Sequence, residues 1–314
     1  MQNKPLVSII IPVFNGSKYM KEAIDSALNQ TYSNIEVIVV NDGSDDNGET
    51  EKIALAYEDK ITYIKKENGG VSSALNIGIK NMRGEYFSWL SHDDKYTPEK
   101  IEKQIEQIIR SGKNKVVSLC KVEYIDKNSN FAPKKNKKSI YKKSGYIDSD
   151  MALLNMLKEG SYNGCAFLIP KAFFDEGYRF DESLRYSQDY LMWIKMFVAG
   201  YGVLVNNETG VLSRIHNKQQ TQTGRYLIKH DSAVIAKEVV PHIANRYSSN
   251  YLYNFARGEA KLRNKEAYQC CLEYADKYNK MTFSQLIKLK VYLMYGTIRP
   301  TIRRLYYFIK MKMK

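Results

Sequence analysis

Four short segments place acidic, amide or small residues just past an apolar run: Val7 to Asn15, Val37 to Ser44, Trp89 to Asp94 and Ser187 to Tyr190. Carboxylate and amide oxygens gathered in this way suit a divalent cation and a phosphorylated ligand. Asp93 and Asp94 are adjacent, and two neighbouring carboxylates repel unless a cation or hydrogen-bond donors compensate them; hard oxygen ligands favour Mg²⁺ or Mn²⁺ over zinc. Asp42 can accept a hydrogen bond from a base imide or a ribose hydroxyl, and Gly43 beside it allows close backbone approach. The same Asp-Gly pair also makes a plain turn.

Two more residues have both a chemical and a structural use. Asp189 is a candidate general base, although an aspartate at a helix start also serves as a cap. His216 follows a strand, and a neutral imidazole is a reasonable Mn²⁺ ligand, although a lone histidine is commonly structural. His92 is expected to pack or cap. Tyr190, Trp193 and Phe197 recur at helical spacing and read as core.

The elements that must position these groups follow from hydrophobic periodicity. Strands are expected at about 6–13, 35–40, 61–65 and 85–90, and helices at about 17–29, 45–57, 71–82 and 97–111. That alternation marks an α/β fold with a parallel sheet and right-handed crossovers, whose ligands sit at the carboxyl ends of the strands. Thr97-Pro98-Glu99 predicts a helix start with threonine as the cap. From Lys115 to Ile147 the pattern is strand-like and basic. A strand over Asn163 to Pro170, a helix over Tyr190 to Ala199 and two strands within 202–215 come next, and beyond about Gly224 everything reads as helix. The expected division is residues 1–222 and a helical region over 223–314.

The formal net charge of +14 favours anionic partners: nucleic acid, phospholipid headgroups or sugar nucleotides. Part of it lies in Lys134, Lys135, Lys137, Lys138, Lys142 and Lys143, a stretch that also fits a solvated loop, and part in the acid-free run from Gln285 to Lys314. The four cysteines have no CxxC spacing, so neither a zinc site nor a disulfide framework is expected, which points to reduced thiols and a cytoplasmic location. The apolar run Leu6 to Phe14 is too short for a membrane span and breaks at Pro12 and Asn15-Gly16, unlike a secretory signal.

The motifs together resemble inverting family 2 glycosyltransferases of the GT-A fold, from about Pro5 to about Gln222. The resemblance implies a metal-dependent hexosyl- or N-acetylhexosaminyl-transferase that uses a UDP-sugar and either Mn²⁺ or Mg²⁺. It implies that Asp42 contacts uracil, and that Pro12, Phe14, Asn15, Gly43, Asn68, Gly70, Asn76, Asp93 and Gln188 line the donor site. Asp94 and His216 are the implied metal ligands, and Asp189 the implied catalytic base. The segment Asn68 to Gly78 would offer a helix amino terminus to the diphosphate. Three positions depart from the family pattern: Leu75 stands where arginine is common, Ser91 where an aspartate is, and Gln188 where a glutamate is.

The acceptor implied is a glycan or a lipid-linked intermediate of a bacterial surface polysaccharide such as capsule or O-antigen. In the tail, Ile302, Leu305, Tyr306, Ile309 and Met313 recur at helical spacing among arginines and lysines, a pattern that suits either an anionic membrane interface at the inner face of the plasma membrane or packing on the domain. A nucleic-acid-binding protein would explain the charge, but the basic residues lack interleaved aromatic platforms, so no nucleic acid is expected. A dinucleotide-dependent oxidoreductase would explain the sheet, but the first strand ends in Pro12-Val13-Phe14-Asn15-Gly16 and not in a glycine fingerprint.

Overall fold

The computed structural model describes residues 4–132, 139–217, 219, 227–278 and 280–294. The lysines at 134–138 and the tail residues from Ile302 onward lie outside that range. By chain contacts the protein forms two units, Met1–Leu153 with Ser161–Thr223, and Leu154–Gly160 with Gly224–Lys314.

The first unit is built on a nine-stranded sheet. Its opening half is β1 (Val7–Val13), β2 (Ile35–Asp42), β3 (Thr62–Lys66) and β4 (Tyr86–Trp89), ordered β3-β2-β1-β4 with every pairing parallel. β1 is buried along its whole length, which is why its apolar run is continuous and does not alternate. The helices α1 (Met20–Leu28), α2 (Glu49–Leu55) and α3 (Val71–Asn81) fill the crossovers, with α3 packed on β1 and β2. Register decides what meets at the strand ends: Val13 lies beside Asn41, and Asp42 lies beside Lys66.

The second half of the sheet is mixed. After β5 (Lys95–Tyr96) and α4 (Lys100–Ser111) come β6 (Val116–Ile125), β7 (Gly145–Ile147), α5 (Ser149–Glu159), β8 (Phe167–Pro170), α6 (Lys171–Asp175), α7 (Gln188–Val198) and β9 (Gly202–Arg214). β8 is antiparallel to both β4 and β6, β6 and β9 are parallel, and β5 and β7 each pair antiparallel with β9. Where two strands were expected within 202–215 there is one, because a register shift opposite Cys120 to Val122 absorbs the break in pattern without ending the strand.

Thr97 does not cap α4 as expected. Its hydroxyl donates to the Thr209 carbonyl at 3.1 Å, and the helix begins at Lys100. Tertiary pairing with β9 thus takes the side chain that local pattern assigned to the helix. Asp93 and Asp94 do fall in the short connection after β4, and Trp193 and Phe197 are fully buried core residues. The four cysteines carry no disulfide.

The second unit is helical: α8 (Ile228–Arg246), α9 (Ser249–Leu262), α10 (Lys265–Lys277) and a further helix over 283–294. α8, α9 and α10 pack on one another around Val240, Ile243, Leu252, Phe255 and Cys271. Asn264 caps α10, accepting from the Ala267 amide, and donates to the Lys229 carbonyl. Among the described residues no helix is long and apolar enough to cross a membrane.

Candidate active site

The ends of β1 and β2 are bonded to each other. The Asn15 side chain donates to Asp45 at 2.6 Å and accepts from the Asp45 amide, while the Asn15 amide donates to Ser44. These bonds hold Asn15 at φ 49°, a left-handed conformation that asparagine tolerates better than most residues. Pro12 is buried below, and Phe14 stands exposed at the strand end. Asn41 accepts from the Ser44 amide and donates to Tyr63, which fixes the turn carrying Asp42 and Gly43.

Asp42 is buried and already accepts three bonds from its own chain. Its carboxylate accepts from Lys66 at 2.7 Å, from the Gly69 amide at 2.9 Å and from the Gly70 amide at 2.7 Å. Asn68 donates its side-chain N–H to the Asp42 carbonyl. The loop before α3 therefore folds onto the end of β2, and two of the amides expected to face a diphosphate point at Asp42 instead. Gly43, at φ +68°, is needed for this: a Cβ there would lie 2.6 Å from the Asn68 nitrogen. The close approach it permits is that of the chain's own loop.

Asn76, on α3, uses its amide in both directions with Phe180, accepting from its N–H at 3.0 Å and donating to its carbonyl at 2.9 Å, and it also donates to Glu182. It acts as a clamp between α3 and the segment leading to α7. Leu75 is fully buried and supplies no polar group to the loop. Arg185 does reach it, donating to the Gly69 carbonyl at 2.9 Å.

Beyond β4, Asp93 and Asp94 diverge. Asp93 pairs with His216, Oδ2 to Nε2, at 2.9 Å, and His216 also lies against the Tyr19 ring. Asp94 turns inward, accepting from the Arg214 amide at 2.8 Å and meeting the Cys165 thiol at 3.6 Å. Burial, and then the neighbouring Asp93 charge, push the Asp94 carboxyl up to about 8, against bonds from Arg214, Ser213 and Cys165. Burial also drives the Cys165 thiol well above its usual range, with the Asp94 charge adding to it. His92 sits against the Pro12 carbonyl; burial holds its pKa below the usual value despite Asp93, and His216 adds to that effect.

Arg214 organises this corner, and nothing in the local pattern marked it. Its side chain is fully buried and donates to the Asp93 carbonyl, the Asp126 carbonyl, Ser129 and Glu22. Against the upward push of partial burial, bonds from Ser129 and Lys95 and the charges of Arg214 and Lys95 hold Glu22 below the usual carboxylate range. The sequence shows only an arginine at the end of a strand that leads to His216; its burial and its four acceptors are visible only in the fold.

Asp189 lies in the first turn of α7, where its carboxylate accepts from the Tyr190 amide and from Ser161 at 3.3 Å. Gln188 is buried, and its Oε1 has no partner among the described residues. One short segment joins this region to Asp94: Ser161 bonds Asp189 and Cys165 meets Asp94, with Asn163 capping the turn between them.

Among the described residues no three His, Cys, Asp or Glu side chains are gathered as a metal cage. The donor set nevertheless fits a hard cation. Asp94 is a buried carboxylate whose pKa is raised further by the charge of Asp93 beside it, and Mg²⁺ is commonly held by one or two carboxylates plus substrate phosphates and water. His216, bonded to Asp93, is adjacent to that set.

Comparison with known proteins agrees with this architecture. The model for "Glycosyl transferase family 2" matches residues 8–177, more than half of the chain. The "Uncharacterized glycosyltransferase RP339" of Rickettsia prowazekii (strain Madrid E) is 52% identical over 219 residues, covering 70% of this chain and 67% of that one. A glycosyltransferase of Haemophilus influenzae (strain ATCC 51907 / DSM 11121 / KW20 / Rd) is 27% identical over 320 residues, covering 99% of this chain and 92% of its own. The crystal structure of S. aureus TarS 1-349 in complex with UDP-GlcNAc superposes with a TM-score of 0.68 at 18% identity, covering 95% of this chain and 92% of that one, which establishes the shared GT-A fold. Against a longer TarS chain, this protein spans 52% of the length. A strand-end acidic site on this fold, a family model over its first half and a half-identical relative together place the chain in glycosyl transferase family 2.

Proposed function

We propose that the protein moves a sugar from a UDP-sugar to a hydroxyl of a glycan or lipid-linked acceptor, with inversion at the anomeric carbon, in the assembly of a bacterial surface polysaccharide. The observation that carries this is the segment Ser161 to Cys165, which touches Asp189 at one end and Asp94 at the other. Four residues span at most roughly 14 Å, so the candidate base and the candidate metal ligand are tied to the two ends of one short segment. Asp189 takes the proton from the acceptor hydroxyl as it attacks. Asp42, with Gly43, Asn68, Gly70 and the edge formed by Pro12, Phe14 and Asn15, holds the nucleotide, while Asn76 fixes α3 behind it. Asp93 and Gln188 contact the donor sugar; a sugar hydroxyl would satisfy the buried Gln188 Oε1. A Mn²⁺ or Mg²⁺ ion held by Asp94, with His216 beside it, would offset charge on the departing diphosphate.

On this reading residues 1–222 carry the transferase and 223–314 bring it to a membrane. The helix over 283–294 presents Phe283, Ile287 and Val291 to solvent on one face, with Phe283 79% exposed, and Leu289 buried on another. No acidic residue follows Gln285, so an apolar stripe set among cations is offered outward, as an anionic interface requires. The protein would then work at the cytoplasmic face of the plasma membrane. Full-length protein should sediment with anionic vesicles at low salt and be released at high salt; failure to bind at low salt rejects the membrane role.

The donor reading is tested by UDP titration and by UDP release. TarS is described with UDP-GlcNAc, which makes that sugar nucleotide the first donor to try, with a bacterial lipid extract as acceptor. Absence of UDP binding with Mn²⁺ present would reject it.

A further inference from the structure

The segment between α6 and α7 is fastened at two places, to α3 and to the turn that precedes it. At the first, Asn76 exchanges hydrogen bonds with Phe180 and donates to Glu182. At the second, Arg185 donates to the Gly69 carbonyl. Between them the segment is knit by an Asp181 turn, whose carboxylate accepts from the Ser183 amide and hydroxyl, and is anchored by the buried Leu184. It is a strap laid along α3, ending four residues after Arg185 at Asp189.

Gly69 is where this strap meets the strand-end site. Its N–H donates to Asp42 and its carbonyl accepts from Arg185, so one peptide unit on each side of a single residue joins the two. Gly70 follows at φ +90°, and a Cβ there would lie 2.6 Å from Arg185 Nη1, so the guanidinium is seated against the bare backbone of the turn. The Gly69 contact uses one of the five N–H donors of the guanidinium.

We propose that Arg185 is a positioning residue for the transfer reaction: by holding the Gly69 carbonyl it ties the turn beside Asp42 to the start of α7, and so sets Asp189 at its working distance from the bound donor. This rests on the UDP-sugar reading given above. Displacement of a catalytic group by about 1 Å can cost about 10²-fold in rate. Loss of the tie should therefore be felt in turnover more than in nucleotide affinity.

The test compares wild type with Arg185→Ala and Arg185→Lys, using UDP titration, UDP release from UDP-GlcNAc with the lipid extract as acceptor, and thermal melting. Arg185→Ala should lower kcat by about 10²-fold with UDP affinity within about threefold, a free-energy change of about 0.7 kcal/mol. Arg185→Lys, which keeps a donor for the Gly69 carbonyl, should recover much of the lost kcat. A kcat near wild type in Arg185→Ala overturns the role, as does a loss confined to KM and UDP affinity, which would make Arg185 a nucleotide contact. Equal loss of melting temperature, affinity and rate in both variants overturns it in favour of general support. Wild-type protein that binds no UDP would overturn the donor reading and this role with it, whereas normal UDP binding with an unaffected Arg185→Ala kcat removes this role alone.

Discussion

Asp42 and Asp94 stand at the ends of neighbouring parts of the same sheet, and both are buried, yet their surroundings are opposite. Asp42 is met by a lysine and two backbone amides. Asp94 is met by one backbone amide, the Ser213 side chain and a thiol, with a second carboxylate next in the chain. The protein compensates the first charge with its own donors, whereas burial and the Asp93 charge push the second carboxyl up to about 8. A buried carboxylate is costly unless paired or neutralised, so the same residue type is a fixed charged acceptor in one place and a carboxyl pushed toward its neutral form in the other.

The largest expected effect separates these two roles. Asp94→Ala should reduce turnover by at least about a thousandfold, the several kcal/mol that a metal ion supplies, and a chelator should do the same to wild type. Asp42→Ala should instead raise donor KM, by about 10- to 100-fold for a charged hydrogen bond, and leave kcat less affected. Steady-state kinetics that show the reverse pattern would break the comparison.

Asp189→Asn is next. It should lower the rate of transfer by about 10²–10⁴-fold while UDP binding measured by titration stays near wild type, since the residue acts on the acceptor and not on the nucleotide. A rate close to wild type would remove Asp189 as the base and leave it as the first-turn acceptor it also is.

The smallest effect sharpens the comparison with a carboxylate that has no site at all. Glu259 lies in the helical unit, bonded to Ser232, and burial pushes its carboxyl up to about 7 against bonds from Ser232 and Asn264. Its folded pKa is raised, so the stability it contributes is complete below its unfolded value of 4.5 and is lost as pH rises through about 7. Thermal melts should therefore show stability falling between about pH 5 and 8, and Glu259→Gln should flatten that slope without altering UDP binding. An unchanged slope in the variant would assign the pH dependence to other groups.

How much of this was legible beforehand differs by scale. The order of strands and helices through the first half followed from β-branched runs alternating with amphipathic stretches, because periodicity is a property of neighbours in the chain. The helix start at Thr97 and the two strands within 202–215 did not survive, since in both cases pairing with distant β9 or β6 outweighed the local signal. The acidic positions were visible as residues at strand ends. Their partners were not.

What the sequence determined by itself is the succession of elements, the family, and the placing of Asp42, Asp93 and Asp94 just beyond apolar runs and of Asp189 at the start of an aromatic helix. Tertiary structure alone decided that Gly69 and Gly70 give their amides to Asp42, that His216 pairs with Asp93, that Arg214 gathers Glu22 and Asp126, and that Arg185 reaches the glycine turn. The reason is physical. Charge compensation falls with distance in space and takes no account of separation along the chain, so which carboxylate is paired and which remains a site is fixed only when the strands lie side by side.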